Sequence, residues 1–288
     1  MQFREKTSAK IAASLEEESL KIFAKINEIA NYLSFGNFGK RKKGDGDDFW
    51  QFRQLNIGES ANKIDWRRSA KTNQIFVKEK EAQNPKRFQF WIDARPPMHW
   101  SSSPVLEHKF NCAQVLAIGI YLALRKIGQS PSFIGHLGSP SSIDEILGCA
   151  NNLGKMPPTA NKAGEVILVS DGIEEIDIWR ARIANIKSRG GQPLIIIIQD
   201  PIEIGFDISG RVLFSSMAQS QEKVQIEDCQ SIRKSYLERY NNHFQALQTM
   251  ASEMEVPIFF HISGADYLPI AKQIWQVFEA KTQRRRLG

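Results

Sequence analysis

Two aspartates stand directly after short apolar runs. Phe88-Gln89-Phe90-Trp91-Ile92 leads into Asp93, and Val166-Ile167-Leu168-Val169-Ser170 leads into Asp171. An ionised carboxylate at the end of a buried segment needs a cation or hydrogen-bond donors to satisfy it. Two such acids on one rim suit a hard cation, which takes oxygen ligands. Paired acids can also hold a metal that activates water, the chemistry of a metal-assisted hydrolase. Arg95, two residues beyond Asp93, offers another solution. Its guanidinium can serve both carboxylates through charge-assisted bidentate hydrogen bonds and stand where an ion would. A second group is Asp65-Trp66-Arg67-Arg68. Trp and Arg dominate interface hot spots, so the block can act as a recognition patch. The favoured expectation is structural: Trp66 plugs a core, and Asp65 pairs with Arg67 or with Arg53.

Other familiar chemistries are missing. There is no G-x-x-x-x-G-K-[ST] phosphate loop, no G-x-G-x-x-G, no G-x-S-x-G and no H-E-x-x-H. The histidines (99, 108, 136, 243 and 261) are scattered and are expected at the surface or satisfied in the core. Cys112, Cys149 and Cys229 have no metal-ligand spacing and read as reduced thiols.

The acids need a scaffold, and the second part of the chain supplies one. Strands are expected at Phe88–Ile92, Ser132–Leu137, Val166–Val169, Leu194–Ile198 and Ile258–His261. Helices are expected between and after them at Leu106–Lys126, Ser142–Leu153, Glu175–Arg189, Cys229–Glu253 and Tyr267–Lys281. Alternating β and α elements with apolar strands imply an α/β fold with a mostly parallel sheet covered by helices on both faces. In such sheets ligands bind beyond the carboxyl ends of the strands, near the point where strand order reverses. Gly210–Ser215 and Lys223–Ile226 read as an extra hairpin. Upstream, Ser8–Tyr32 has helical apolar spacing, Lys40–Lys43 is a basic loop, and Phe49–Leu55 and Ile75–Glu81 read as strands. The expected division is an N-terminal region, 1–85, and a sheet domain, 86–288.

Composition narrows the class. With 288 residues, 42% hydrophobic and 24% charged, the chain is neither mainly disordered, collagen-like nor a small disulfide scaffold. The longest apolar run, Leu194–Ile198, is far too short to cross a membrane. No apolar leader follows Met1, and a cytoplasmic location is expected. Residues 1–90 carry 18 Lys/Arg and 12 Asp/Glu, whereas residues 91–288 carry 20 of each. The net +6 therefore belongs entirely to the first third, where nucleic acid is one conceivable anionic partner. Arg284–Arg286 reads as a solvated tail.

Three segments together resemble the bacterial "domain of unknown function 58" family. They are Phe49 to Glu79, with Arg53, Gly58-Glu59, Ile64-Asp65-Trp66-Arg67-Arg68-Ser69-Ala70-Lys71 and Val77-Lys78-Glu79; then Trp91-Ile92-Asp93 through Met98; then Leu168 to Gly172. The resemblance implies a Rossmann-like von Willebrand factor A-type domain. It also implies a metal-ion-dependent adhesion site, built from Asp-x-Ser-x-Ser, a Thr from a second loop and a later Asp. Asp93 and Asp171 match the two acids, and Thr159 is the candidate Thr. Arg95 and Pro97 stand where the serines would be, so a degenerate site without Mg²⁺ is expected. The family further implies a non-enzymatic interaction protein, an adaptor working with a MoxR-type AAA+ ATPase on other protein complexes. The binding residues would be Asp93, Arg95 and Asp171 on the sheet domain and Arg53, Asp65, Trp66, Arg67 and Arg68 on the N-terminal region.

Overall fold

Five strands form one parallel sheet in the computed structural model. It describes all residues except 1, 36–48, 56–63, 72–73, 81–85, 137–139, 141, 152–162, 217–221 and 288. The chain runs α1 (Gln2–Phe35), β1 (Phe49–Gln54), α2 (Trp66–Ser69), β2 (Phe76–Lys80), β3 (Arg87–Ile92), α3 (Lys109–Lys126) and β4 (Ser130–Phe133). It continues through α4 (Ile143–Asn151), β5 (Gly164–Ser170), α5 (Ile176–Ser188), β6 (Gly191–Gln199), α6 (Pro201–Gly205), β7 (Val212–Ser215) and β8 (Lys223–Ile226). It closes with α7 (Cys229–Glu253), β9 (Ile258–Ile262) and α8 (Tyr267–Leu287).

The central sheet has the order β4-β3-β5-β6-β9, and every neighbouring pair is parallel. This is a Rossmann-like α/β domain. Strands β5 and β6 are buried almost throughout, because a parallel strand covered on both faces has no polar side. The chain leaves β3 in one direction to reach β4, then returns to the other side of β3 for β5. Right-handed crossovers therefore put α3 and α5 on opposite faces. Order reverses between β3 and β5, so the switch point lies where Asp93 and Asp171 follow their strands. Strand β4 begins two residues earlier than the apolar pattern implies, because Ser130–Phe133 pairs with Arg87–Phe90. Pro131 is tolerated since β4 is the edge strand.

Helix α1, placed in the N-terminal region by the expected division, buries Ile26, Ile29 and Leu33 in the same core as α3, α8 and the sheet. Their spacing makes a helical stripe that must be covered. A Cβ at Gly119 of α3 would come within 2.8 Å of the Ile29 side chain, so glycine permits this close approach. Lys25 also ties α1 down, donating to Glu107 Oε1 at 2.6 Å while lying over the Tyr267 ring. Arg284–Arg286, expected as a solvated tail, lie on helix α8, which continues through Leu287.

Strands β1 and β2 form an antiparallel sheet of their own. The expected extra hairpin is present as β7 and β8. No described helix is long and apolar enough to cross a membrane.

Candidate functional site

Asp93 is fully buried and its carboxylate is surrounded by donors. Arg95 Nε donates to Oδ1 at 2.8 Å and to Oδ2 at 3.0 Å, and one terminal nitrogen also bonds Oδ2. The Arg95 backbone N–H reaches Oδ1 at 3.0 Å, and the Ser170 hydroxyl donates to Oδ2 at 2.8 Å. The Asp-x-Arg spacing lets the guanidinium fold back, while the short helical turn at Pro96–His99 carries the chain away. Asp171 is 3% exposed. Its Oδ1 accepts the Ile173 N–H at 3.2 Å and lies 3.7 Å from the Arg95 guanidinium. Gly172 turns the rim with φ +74°, and a Cβ there would strike Ile197 at 2.8 Å.

A second cation completes the network. Lys109, the first residue of α3, is 1% exposed. Its ammonium bonds Glu203 Oε1 at 2.5 Å and lies 3.9 Å from Asp171 Oδ2. A buried ammonium at a helix N-terminus faces the positive end of the dipole, so these acids are its compensation. Outward, Arg95 reaches Glu174 at 2.8 Å, and Glu174 is held in turn by Arg182. The hydrogen bonds to Asp93 raise the Arg95 pKa, burial opposes them, and the charges of Asp93, Glu174 and Asp171 raise it further. Arg95 therefore stays charged at any physiological pH. His243 Nε2 donates to the Gly172 carbonyl at 2.8 Å, which makes it a support for the rim loop.

The structure thus brings Asp93, Arg95 and Asp171 together, as expected. Lys109, Glu174 and Glu203 are members that sequence reasoning missed. Another missed acid, Asp200, follows β6 and is fully buried. It caps α6 by accepting the Ile202 N–H at 3.0 Å, while Glu203 accepts the Asp200 N–H at 2.9 Å. Asp200-Pro201-x-Glu203 is a legible capping box with proline in the first turn, so that signal was present. Nothing marked Lys109, which sits inside an ordinary apolar helix pattern.

The residues present do not fit a divalent cation. Mg²⁺ needs a near-octahedral set of oxygens, whereas both Asp93 oxygens already accept from Arg95, and Lys109 stands beside Asp171. Among the described residues no cluster of His, Cys, Asp and Glu has metal-binding geometry. Thr159 lies outside the described residues.

The second group behaves differently. Asp65 caps α2, accepting the Arg68 N–H at 3.0 Å. Trp66 is 65% exposed, so the expectation that it plugs a core is wrong. Helix α2 is only four residues long and none of its residues is buried. Arg67 and Arg68 are exposed. Arg53 lies on β1 opposite Val77, and its side chain falls outside the described part. The Lys40–Lys43 loop also lies outside the described residues.

Residues 51–134 match the family model described as "Protein of unknown function DUF58". That match covers less than a third of the chain. The matched stretch runs from β1 through β4 and includes Asp65, Trp66, Asp93, Arg95 and Lys109. Among solved structures, this chain is similar to the conserved hypothetical protein BatB from Bacteroides thetaiotaomicron. The identity is 10%, the match covers 69% of this chain and 99% of that one, and the TM-score is 0.33. It is also similar to an uncharacterized membrane spanning protein from Vibrio fischeri, at 14% identity, 67% and 98% coverage and a TM-score of 0.19. No curated protein matches the chain.

Proposed function

We propose that this chain, which carries a DUF58 match over residues 51–134, is a non-enzymatic, cytoplasmic adaptor that works with a MoxR-type AAA+ ATPase in assembling or activating other protein complexes. Its sheet domain is of the von Willebrand factor A type, with a degenerate adhesion site at the switch point. One observation carries this reading: Arg95 and Lys109 hold the paired acids of the carboxyl edge. A rim whose acids are already neutralised by resident cations is suited to keeping a surface in shape. Ile173, 52% exposed and bonded through its N–H to Asp171, is the apolar side chain that this rim presents. A hydrolase would need an open cation position and a base. The oxygens of Asp93 are taken, and His243 is engaged with Gly172.

The test is co-purification of the tagged chain with a MoxR-type AAA+ ATPase, with and without ATP. Ile173→Glu alters the rim and leaves the Asp93–Arg95 pair intact. Co-elution of wild type, lost in this variant with the melting temperature unchanged, is the expected result. Equal recovery of both, or of neither, would overturn the reading. Isothermal titration with Mg²⁺ and Mn²⁺ is expected to show no binding. A clear isotherm abolished by Asp93→Ala would sink the degenerate-site assignment.

A further inference from the structure

We propose that the α2 edge of the β1–β2 sheet docks an acidic, partly apolar segment of a partner protein. Trp66 and Ile75 would be its apolar anchors, with Arg67 and Arg68 as the charged rim. This extends the adaptor reading and rests on it only in taking the partner to be a protein.

The anchors flank a paired stretch. Ile64 bridges Val77, and the Asp65 N–H donates to the Phe76 carbonyl at 2.9 Å. Trp66 follows Asp65 as the first residue of α2, and Ile75 precedes Phe76 at the start of β2. Both stay outside, at 65% and 47% exposure, while Val77 on β2 is 1% exposed. A module this small has every reason to bury an indole, and it leaves that area open.

The supporting frame is pinned. Asp65 caps the first turn of α2, and the Ser69 hydroxyl donates to the Asp65 carbonyl at 2.8 Å while accepting the Phe76 N–H at 2.9 Å. The Arg68 guanidinium lies 5.5 Å above the Phe76 ring, which orients it before any partner arrives. A pre-ordered aromatic anchor beside arginines is the composition and rigidity that concentrate binding energy.

Charge selects the occupant. Residues 49–80 carry seven Lys/Arg and three Asp/Glu, against a balanced sheet domain, so the complementary surface is acidic. Single-stranded nucleic acid is the weaker match. It wants a row of aromatics along a basic groove, whereas here one exposed indole sits beside an isoleucine that cannot stack with a base.

A random dodecamer library displayed on phage would test this with the full chain, counter-selected against Trp66→Ala/Arg67→Glu/Arg68→Glu. Thermal unfolding should first place the variant within a degree or two of wild type. The single variants Trp66→Ala and Arg67→Glu serve as folded substitutes if it does not. The expected outcome is enrichment of peptides with surplus Asp/Glu and at least one large apolar residue, binding wild type at least about tenfold more tightly than the variant. Neutral or basic winners, or equal retention on the variant, would overturn the proposal. Tighter capture of a labelled 20-mer oligonucleotide than of any selected peptide would overturn it in favour of nucleic acid. No ATPase enters the selection, so its failure and that of the adaptor reading remain distinguishable.

Discussion

Asp93-Ala94-Arg95 and Asp65-Trp66-Arg67 share the same spacing of acid and arginine, yet they end in opposite states. At the carboxyl edge of the large sheet the guanidinium folds onto a fully buried carboxylate, which also accepts from Ser170. On the small β1–β2 module the carboxylate caps a helix instead, and Arg67 stays exposed. Burial makes the difference. A carboxylate stripped of water must be met by donors, whereas one at the surface can turn to the nearest backbone N–H. The first arrangement spends its charges internally and keeps a rim in shape. The second leaves the Arg67 side chain and an indole exposed at the surface.

The sharpest way to break this contrast is Asp93→Ala. It strands a half-buried guanidinium and the Ser170 hydroxyl, and should cost about 3–5 kcal/mol. Urea unfolding would read this directly. A loss below about 1 kcal/mol would mean that the pair is as dispensable as a surface bridge. Ile29→Ala comes next, at about 3 kcal/mol. It should lower the single cooperative transition of the sheet domain, and a separate early transition for α1 would show that this helix unfolds apart from the sheet.

A third test uses pH. Burial pushes the pKa of His261 down from 6.5 to about 4, against the opposing charges of Glu107 and Asp266 and with a small push from Lys25. The unfolded chain therefore binds the proton more readily. Stability is full above pH 6.5 and declines as pH falls towards 4, by up to about 1.4 kcal/mol per pH unit. His261→Gln should flatten that slope in urea midpoints measured between pH 7 and 4. The smallest stability effect belongs to Trp66→Ala, which should stay within about 0.5 kcal/mol of wild type. A melting-temperature drop like that of a core truncation would place the indole in a structural role after all.

Much of the scaffold was legible. Strands β3, β5, β6 and β9 announce themselves as apolar runs, and helix α7 has the bounds its pattern implies. Asp93 and Asp171 could be singled out because an acid directly after a buried strand has few explanations. Helix α1 was legible as a helix but not as part of the core, since its stripe does not say which surface covers it. Trp66 misled for a related reason: a large aromatic is on average highly buried, and its local sequence does not say that α2 buries none of its residues.

By itself the sequence determined the alternation of strands and helices, the position of the two acids at strand ends, the arginine within reach of the first, and the basic surplus of residues 1–90. These are local or additive properties, carried by periodicity, spacing and composition. Only the tertiary structure decided that the strand order reverses between β3 and β5. That reversal sets Asp93 and Asp171 side by side, and Lys109 and Glu203 arrive from helices 94 residues apart. A buried charge is stable only where its counter-charges converge, and that convergence comes from chain crossings that no short stretch of sequence encodes.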